Sequence, residues 1–176
     1  MRCAAVLAIC AALAFAPPAR AEAYERAQLV AAYIVNFMRY TEWPAPGPVT
    51  GAPLVVVVHR APATAKALAA IAASGTRIGT HSLEVRRART IEALQRELIG
   101  AHVLYAGADH EAALALAGGE VLTIGSSPEF AKQGGMLALV PEGGRVVFDA
   151  NLPAIRAAGL SLSAKVLALA RHVEGR

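Results

Sequence analysis

Leu54-Val55-Val56-Val57-Val58-His59 constrains the fold more than any other stretch of the chain. It is an unbroken, β-branched apolar run. A strand that reads this way is buried on both faces, as in parallel sheets covered by helices on each side. The neighbouring segments agree. Ala61 to Ala73 is alanine-rich and reads as a helix, with Pro62 tolerated in its first turn and Ser74-Gly75 ending it. His81 to Ala88 alternates Leu83 and Val85 with Glu84 and Arg86, the pattern of a half-exposed strand. The alternation continues: a helix at 90–98 capped by Thr90, a strand at 103–106, a helix at 109–117 opened by Asp109, a strand at 121–125 and a short helix at 126–132. Strands at 136–140 and 145–148, joined by the turn Pro141-Glu142-Gly143-Gly144, read as an antiparallel hairpin. A helical turn or two at 151–157 and an amphipathic helix at 162–173 close the pattern. The expected fold is α/β: one domain, with a mostly parallel but mixed sheet flanked by helices.

The first residues read differently. Met1-Arg2 is a short basic start, Cys3 to Ala16 is an apolar run, and Pro17 to Ala21 ends in small residues. Together they read as a secretory signal peptide over 1–21, cleaved after Ala21, with Ala23 as second choice. The run is shorter than the ~20 residues a membrane span needs. Cleavage leaves a 155-residue domain, Glu22 to Arg176, with no direct membrane span. Both cysteines, Cys3 and Cys10, leave with the leader, so the mature protein enters an oxidising compartment with neither disulfide nor thiol. Arg2 and Arg20 leave too, and net charge falls from +4 to +2. A balance that weak does not argue for nucleic acid, which wants a clustered basic stripe. Residues 22–40 then form a helix whose apolar stripe carries Leu29, Val30, Tyr33, Ile34, Phe37 and Met38; it stops at Thr41-Glu42-Trp43-Pro44.

No catalytic constellation emerges. Gly118-Gly119, Gly134-Gly135 and Gly143-Gly144 match neither the dinucleotide fingerprint nor the phosphate loop. Ser126 is not on a nucleophile elbow; it reads as a helix cap, with Glu129 completing a capping box. The five histidines lack metal-ligand spacing, so neither metal nor cofactor is expected. Asp109-His110-Glu111 is the densest polar cluster. It follows a strand, at the edge where open α/β sheets place ligands, and His59 ends another strand that could approach it. Its two readings are a helix cap with solvated neighbours and a ligand rim of His59, Asp109 and His110. The aromatic residues Tyr33, Phe37, Tyr40 and Trp43 also cluster. They read first as core, because an alanine-rich domain needs bulky groups somewhere, and second as a partner anchor.

Four motifs carry a family resemblance. Asn36-Phe37-Met38-Arg39-Tyr40-Thr41-Glu42-Trp43-Pro44 resembles the N-terminal signature of the YfiR-like family of secreted bacterial proteins. Phe130-Ala131-Lys132-Gln133-Gly134-Gly135-Met136, then Phe148-Asp149-Ala150-Asn151-Leu152, then Gly159-Leu160-Ser161-Leu162-Ser163 continue it in the same order. The residues also make structural sense: Gly134-Gly135 suits a left-handed helix cap, and Asn151 an N-cap ahead of Pro153. Phe37, Arg39, Trp43, Pro44, Gly134, Gly135, Phe148 and Asn151 are thus fold signature or partner-binding residues. The resemblance implies a periplasmic, non-catalytic α/β protein that self-associates as a homodimer. It implies binding to the periplasmic sensor domain of an inner-membrane diguanylate cyclase, with an outer-membrane lipoprotein able to sequester the regulator. The redox tuning that cysteine pairs give some relatives does not carry over to this chain.

Overall fold

A computed structural model describes residues 18–175. The leader read at 1–21 lies outside them except for its last four residues, which belong to the first helix. That helix, α1 (Pro18–Arg39), runs into β1 (Thr41–Glu42). Thr41 stops it by turning its Oγ1 back onto the Phe37 carbonyl, 2.7 Å away. The alternating part follows as β2 (Leu54–His59), α2 (Pro62–Ala73), β3 (Arg77–Ile78), β4 (His81–Ala88), α3 (Ile91–Glu97), β5 (Val103–Ala106), α4 (His110–Leu116), β6 (Leu122–Gly125), α5 (Glu129–Lys132), β7 (Leu137–Glu142), β8 (Arg145–Asn151) and α6 (Leu152–Ala157). Last come β9 (Ser161–Leu162), α7 (Ala164–Leu167) and β10 (His172–Glu174).

The main sheet has eight strands in the order β10-β8-β7-β6-β5-β2-β4-β3. Strands β4, β2, β5, β6 and β7 are mutually parallel, β8 turns back antiparallel to β7, and β10 runs parallel to β8. The fold is α/β with a mixed, mostly parallel sheet, and the buried run on β2 explains why. Val56 and Val58 face one core, shared with Ile34 and Phe37 of α1 and Leu68 of α2. Val57 faces a second core with Leu94 of α3, Ala113 of α4 and Phe130 of α5. Period two along the strand places successive valines in different layers.

Two expectations fail. No single helix spans 162–173. β9 instead pairs with β1, α7 is one short turn, and β10 adds to the sheet edge. Pairing overrides the helical periodicity there: the Arg171 amide donates to the Phe148 carbonyl at 2.8 Å, and its guanidinium Nε donates to the Asp149 carboxylate at 2.9 Å. Nor does Ser126 cap α5. Ser127 Oγ accepts from the Glu129 amide at 3.2 Å, while Ser126 Oγ donates to the Gly107 carbonyl at 3.0 Å.

The four motifs meet in pairs. Thr41 and Glu42 pair with Leu162 and Ser161, the Ser163 amide donates to the Tyr40 carbonyl at 2.9 Å, and Pro44 lies against Gly159. On the other side, Asn151 caps α6 by accepting from Ala154 at 2.9 Å and donates its Nδ2 to the Ala131 carbonyl at 3.0 Å. Gly134, at φ +96°, and Gly135 close α5 with bonds to the Ala131 and Phe130 carbonyls. A Cβ on Gly135 would fall 2.1 Å from the Phe130 ring. Among the aromatics, Phe37 is 1% exposed and packs edge-on to Phe148 at 5.0 Å. Trp43 is half-buried against the same core, and Tyr40 points outward, as does Arg39.

Candidate functional site

In the parallel part of the sheet, chain order and spatial order part company between β2 and β5. From β2 the chain moves outward to β4, then returns past β2 to place β5 on its other side. Open α/β sheets bind ligands at such a switch point, outside the carboxyl ends of the strands, because the two loops diverge there and leave a crevice. β2 ends in His59, and Arg60 begins the loop that leaves it. The loop leaving β5 ends in Asp109, and His110 opens α4.

The strand ends are tightly joined before they diverge. The Arg60 amide donates to the Ala88 carbonyl at 3.1 Å, and the Gly107 amide to the His59 carbonyl at 2.9 Å. A side chain at Gly107 would meet Ala61 at 2.8 Å and the Arg60 carbonyl at 2.9 Å, so only glycine fits. Arg60 (φ +50°) and Asp109 (φ +53°) are the non-glycine residues with left-handed backbone among the described residues. Such strained conformations gather at functional sites. These two residues also form an ion pair with each other, across the switch point. Asp109 stands at the N-cap position of α4, but its carboxylate makes no capping bond, because Arg60 holds it.

His59 lies beneath this pair. Its side chain is 0% exposed, and neither ring nitrogen has a hydrogen-bond partner. Nε2 is 3.8 Å from the Asp109 carboxylate, too far to bond. Burial holds the imidazole below its ordinary pKa, against an opposing pull from the Ala88 carbonyl and from Asp109. An unpaired buried polar group is costly, so this histidine is poised for a partner. His110 packs edge-on to Phe130, with centroids 5.3 Å apart, and its Nε2 lies 3.4 Å from Ser126 Oγ. This serine–histidine pair was hidden in the sequence by a separation of sixteen positions. It lacks a third group to orient the imidazole, since the adjacent Asp109 is taken by Arg60.

Two depressions flank the Arg60–Asp109 bridge. One, of about 370 Å³, lies toward α2 and is lined by Val58, Arg60, Ala65, Arg87, Ala88 and Arg89, among others. The other is shallower, about 620 Å³, and includes Asp109, His110, Glu111 and Gln133. The structure therefore brings His59, Asp109 and His110 to one edge, and adds Arg60, Arg87, Arg89 and Ser126. The arginines were legible only as ordinary surface charge; the clue was Arg60 following a buried-type strand directly. Phe37, Trp43, Pro44, Gly134, Gly135, Phe148 and Asn151 lie elsewhere, in the paired motifs. Among the described residues, no group of three histidine, cysteine, aspartate or glutamate side chains is gathered for a metal ion, and no helix is long and apolar enough to cross a membrane.

The match that decides the family covers residues 27–171, nearly the whole described chain, and the family model is that of YfiR/HmsC-like proteins. The chain belongs to the YfiR/HmsC-like family. This is a regulatory family of the periplasm. Among solved structures, the chain is similar to a conserved domain protein from Vibrio cholerae O1 biovar El Tor, with 15% identity and a TM-score of 0.60 over 84% of this chain and 60% of that one. It is also similar to the ABC domain in complex with L-Trp from Streptococcus pneumonia, with 8% identity and a TM-score of 0.53 over 69% of this chain and 55% of that one. At these identities the likeness is one of fold. The chain spans 60% or less of the length of either structure. No curated protein matches it.

Proposed function

We propose that this YfiR/HmsC-like protein is a periplasmic, non-catalytic regulator that binds and represses the periplasmic sensor domain of an inner-membrane diguanylate cyclase. The family match over 27–171 carries the reading. The leader-like start, which directs a chain to the periplasm, supports it. So do the exposed Tyr24, Leu29 and Tyr40 on and just after α1, which offer apolar surface that a partner can cover. Most of the signature residues are engaged with one another, so in this reading partner contacts come from the exposed ones among them, such as Arg39 and Tyr40. The regulator acts as a homodimer, and an outer-membrane lipoprotein relieves repression by sequestering it. Deleting the gene is expected to raise cellular cyclic di-GMP and biofilm. An unchanged level, with the protein normally expressed, overturns the reading. A pull-down of the mature protein from membrane extract should recover a cyclase with a periplasmic domain.

A second reading, a small-ligand sensor, is favoured by one observation. The switch-point crevice carries a buried, unpartnered histidine behind a strained ion pair. A fold of this kind holds a small molecule in the streptococcal domain, whose complex is with L-Trp. A thermal-shift screen against periplasmic metabolites tests this reading, and a flat response counts against it.

A further inference from the structure

We propose that the cleft between α2 and the end of β4 binds a small organic anion with two or more carboxylates, held by Arg60, Arg87 and Arg89, and that binding moves Asp109 from Arg60 to His59. This deepens the ligand-sensor reading and rests on it.

The adjacent ends of β2 and β4 bring the three arginines to one cavity. Val58 lines the cleft from β2, and Arg60, just past the strand end with a left-handed backbone, lines it too. Arg87 stands opposite Val58 in the parallel ladder, and Arg89 is two residues beyond it. All three line the same cavity of about 370 Å³, together with Val58, Ala65 and Ala88. That volume falls within the ~300–1,000 Å³ of small-molecule sites. Among the described residues, no carboxylate lies within ion-pair distance of Arg87 or Arg89; Arg60 has Asp109 alone. Three guanidinium groups around one cleft repel each other, and a multivalent carboxylate answers them with charge-assisted, bidentate bonds. The twelve-residue helix α2 begins at the cleft wall and has no side-chain cap, so its positive end adds to the attraction.

The latch follows from the same geometry. Arg60 cannot serve the ligand fully while it holds Asp109. Once the ligand takes Arg60, the Asp109 carboxylate loses its partner, and His59 offers another, with Nε2 already 3.8 Å away and unpaired. Closing that gap satisfies the buried imidazole. Ligand occupancy is thereby converted into a change on the other face of β2, where Val57 and His59 point.

The test is a titration of the mature chain with sodium citrate, against sodium chloride of equal ionic strength, by calorimetry and ¹⁵N NMR. Saturable binding is expected, with shifts at the cleft amides. Arg87→Gln and Arg89→Gln should each weaken it at least tenfold, and Lys66→Gln, on α2 outside the cleft, should leave it unchanged. The His59 imidazole nitrogens should shift on binding. Asp109→Asn should abolish that shift yet tighten citrate binding, because Arg60 is then free. No saturable binding, or binding indifferent to both arginine variants, overturns the site; binding with His59 unmoved overturns the latch. If citrate fails while another metabolite stabilises the protein, the inference falls and the ligand-sensor reading stands.

Discussion

His102 stands just before β5 and His59 at the end of β2, so the two imidazoles mark opposite edges of the same sheet. Burial holds both below their ordinary pKa. Their surroundings otherwise differ. His102 Nδ1 accepts from the Val55 amide at 3.1 Å, its backbone continues the ladder to Val55 and Leu122, and Trp43 packs edge-on against its ring. His59 has no partner at either nitrogen, and the two residues that cover it are strained. The amino edge of the sheet, where the chain's first motif also lies, is structural: its histidine is satisfied, and Trp43 Nε1 is the buried side-chain atom left unpaired there. The carboxyl edge is unsatisfied and held by one ion pair. Stability resides at the first edge, and the capacity to respond at the second.

If that contrast is right, the largest losses come from the paired motifs. Phe37→Ala should cost about 3–5 kcal/mol, the usual loss for a fully buried aromatic, read by urea denaturation. Trp43→Ala should cost less, because the ring is only half-buried, and an equal loss would show that Trp43 anchors the amino edge more deeply than its exposure implies. Asn151→Ala removes a helix cap and the bond from its Nδ2 to the Ala131 carbonyl, which keeps only the Gly134 amide, for about 2 kcal/mol in the same assay. A loss near zero would mean that the two motifs do not hold each other.

The histidines themselves should respond with opposite signs. His102→Leu leaves the buried Val55 amide without an acceptor, which costs about 1–3 kcal/mol. His59→Leu replaces an unsatisfied imidazole with an apolar group of similar reach. Stability should hold or rise by about 1 kcal/mol, since the desolvation cost of an unpaired polar group is removed. A thermal melt in which His59→Leu is the more damaging variant would reverse the assignment of the two edges.

The six longer strands β2, β4, β5, β6, β7 and β8 were legible because their chemistry is local. Leu54 to His59 declares both of its faces, and Thr90 and Asn151 cap the helices they precede. What stayed hidden depends on partners far along the chain. The 162–173 segment has helical periodicity, but Arg171 reaches back to Asp149 and Glu142 and draws the chain into an edge strand. Asp109 has the residue type and position of a cap, yet Arg60, forty-nine residues earlier, claims its carboxylate. The rim of His59, Asp109 and His110 could be suspected from strand ends alone. Its arginines could not, because Arg87 and Arg89 gain meaning only when β4 is placed beside β2.

The smallest predicted effect is in the pH profile, and it separates the two edges most finely. In the unfolded chain both histidines titrate near their ordinary value of 6.5, while in the fold burial keeps them neutral to lower pH. Below 6.5 the unfolded state therefore takes up protons that the folded state refuses, and stability falls as pH falls, by at most about 1.4 kcal/mol per pH unit for each histidine. His59 should contribute in a way that Asp109 controls, because that carboxylate pulls its pKa back up. Asp109→Asn should then steepen the acid loss in the wild-type background, measured as melting temperature between pH 7 and 5. In the His59→Leu background it should not, and His102 should titrate unchanged in both. A steepening that survives His59→Leu would place the acid sensitivity outside the switch point and remove the physical basis for the latch.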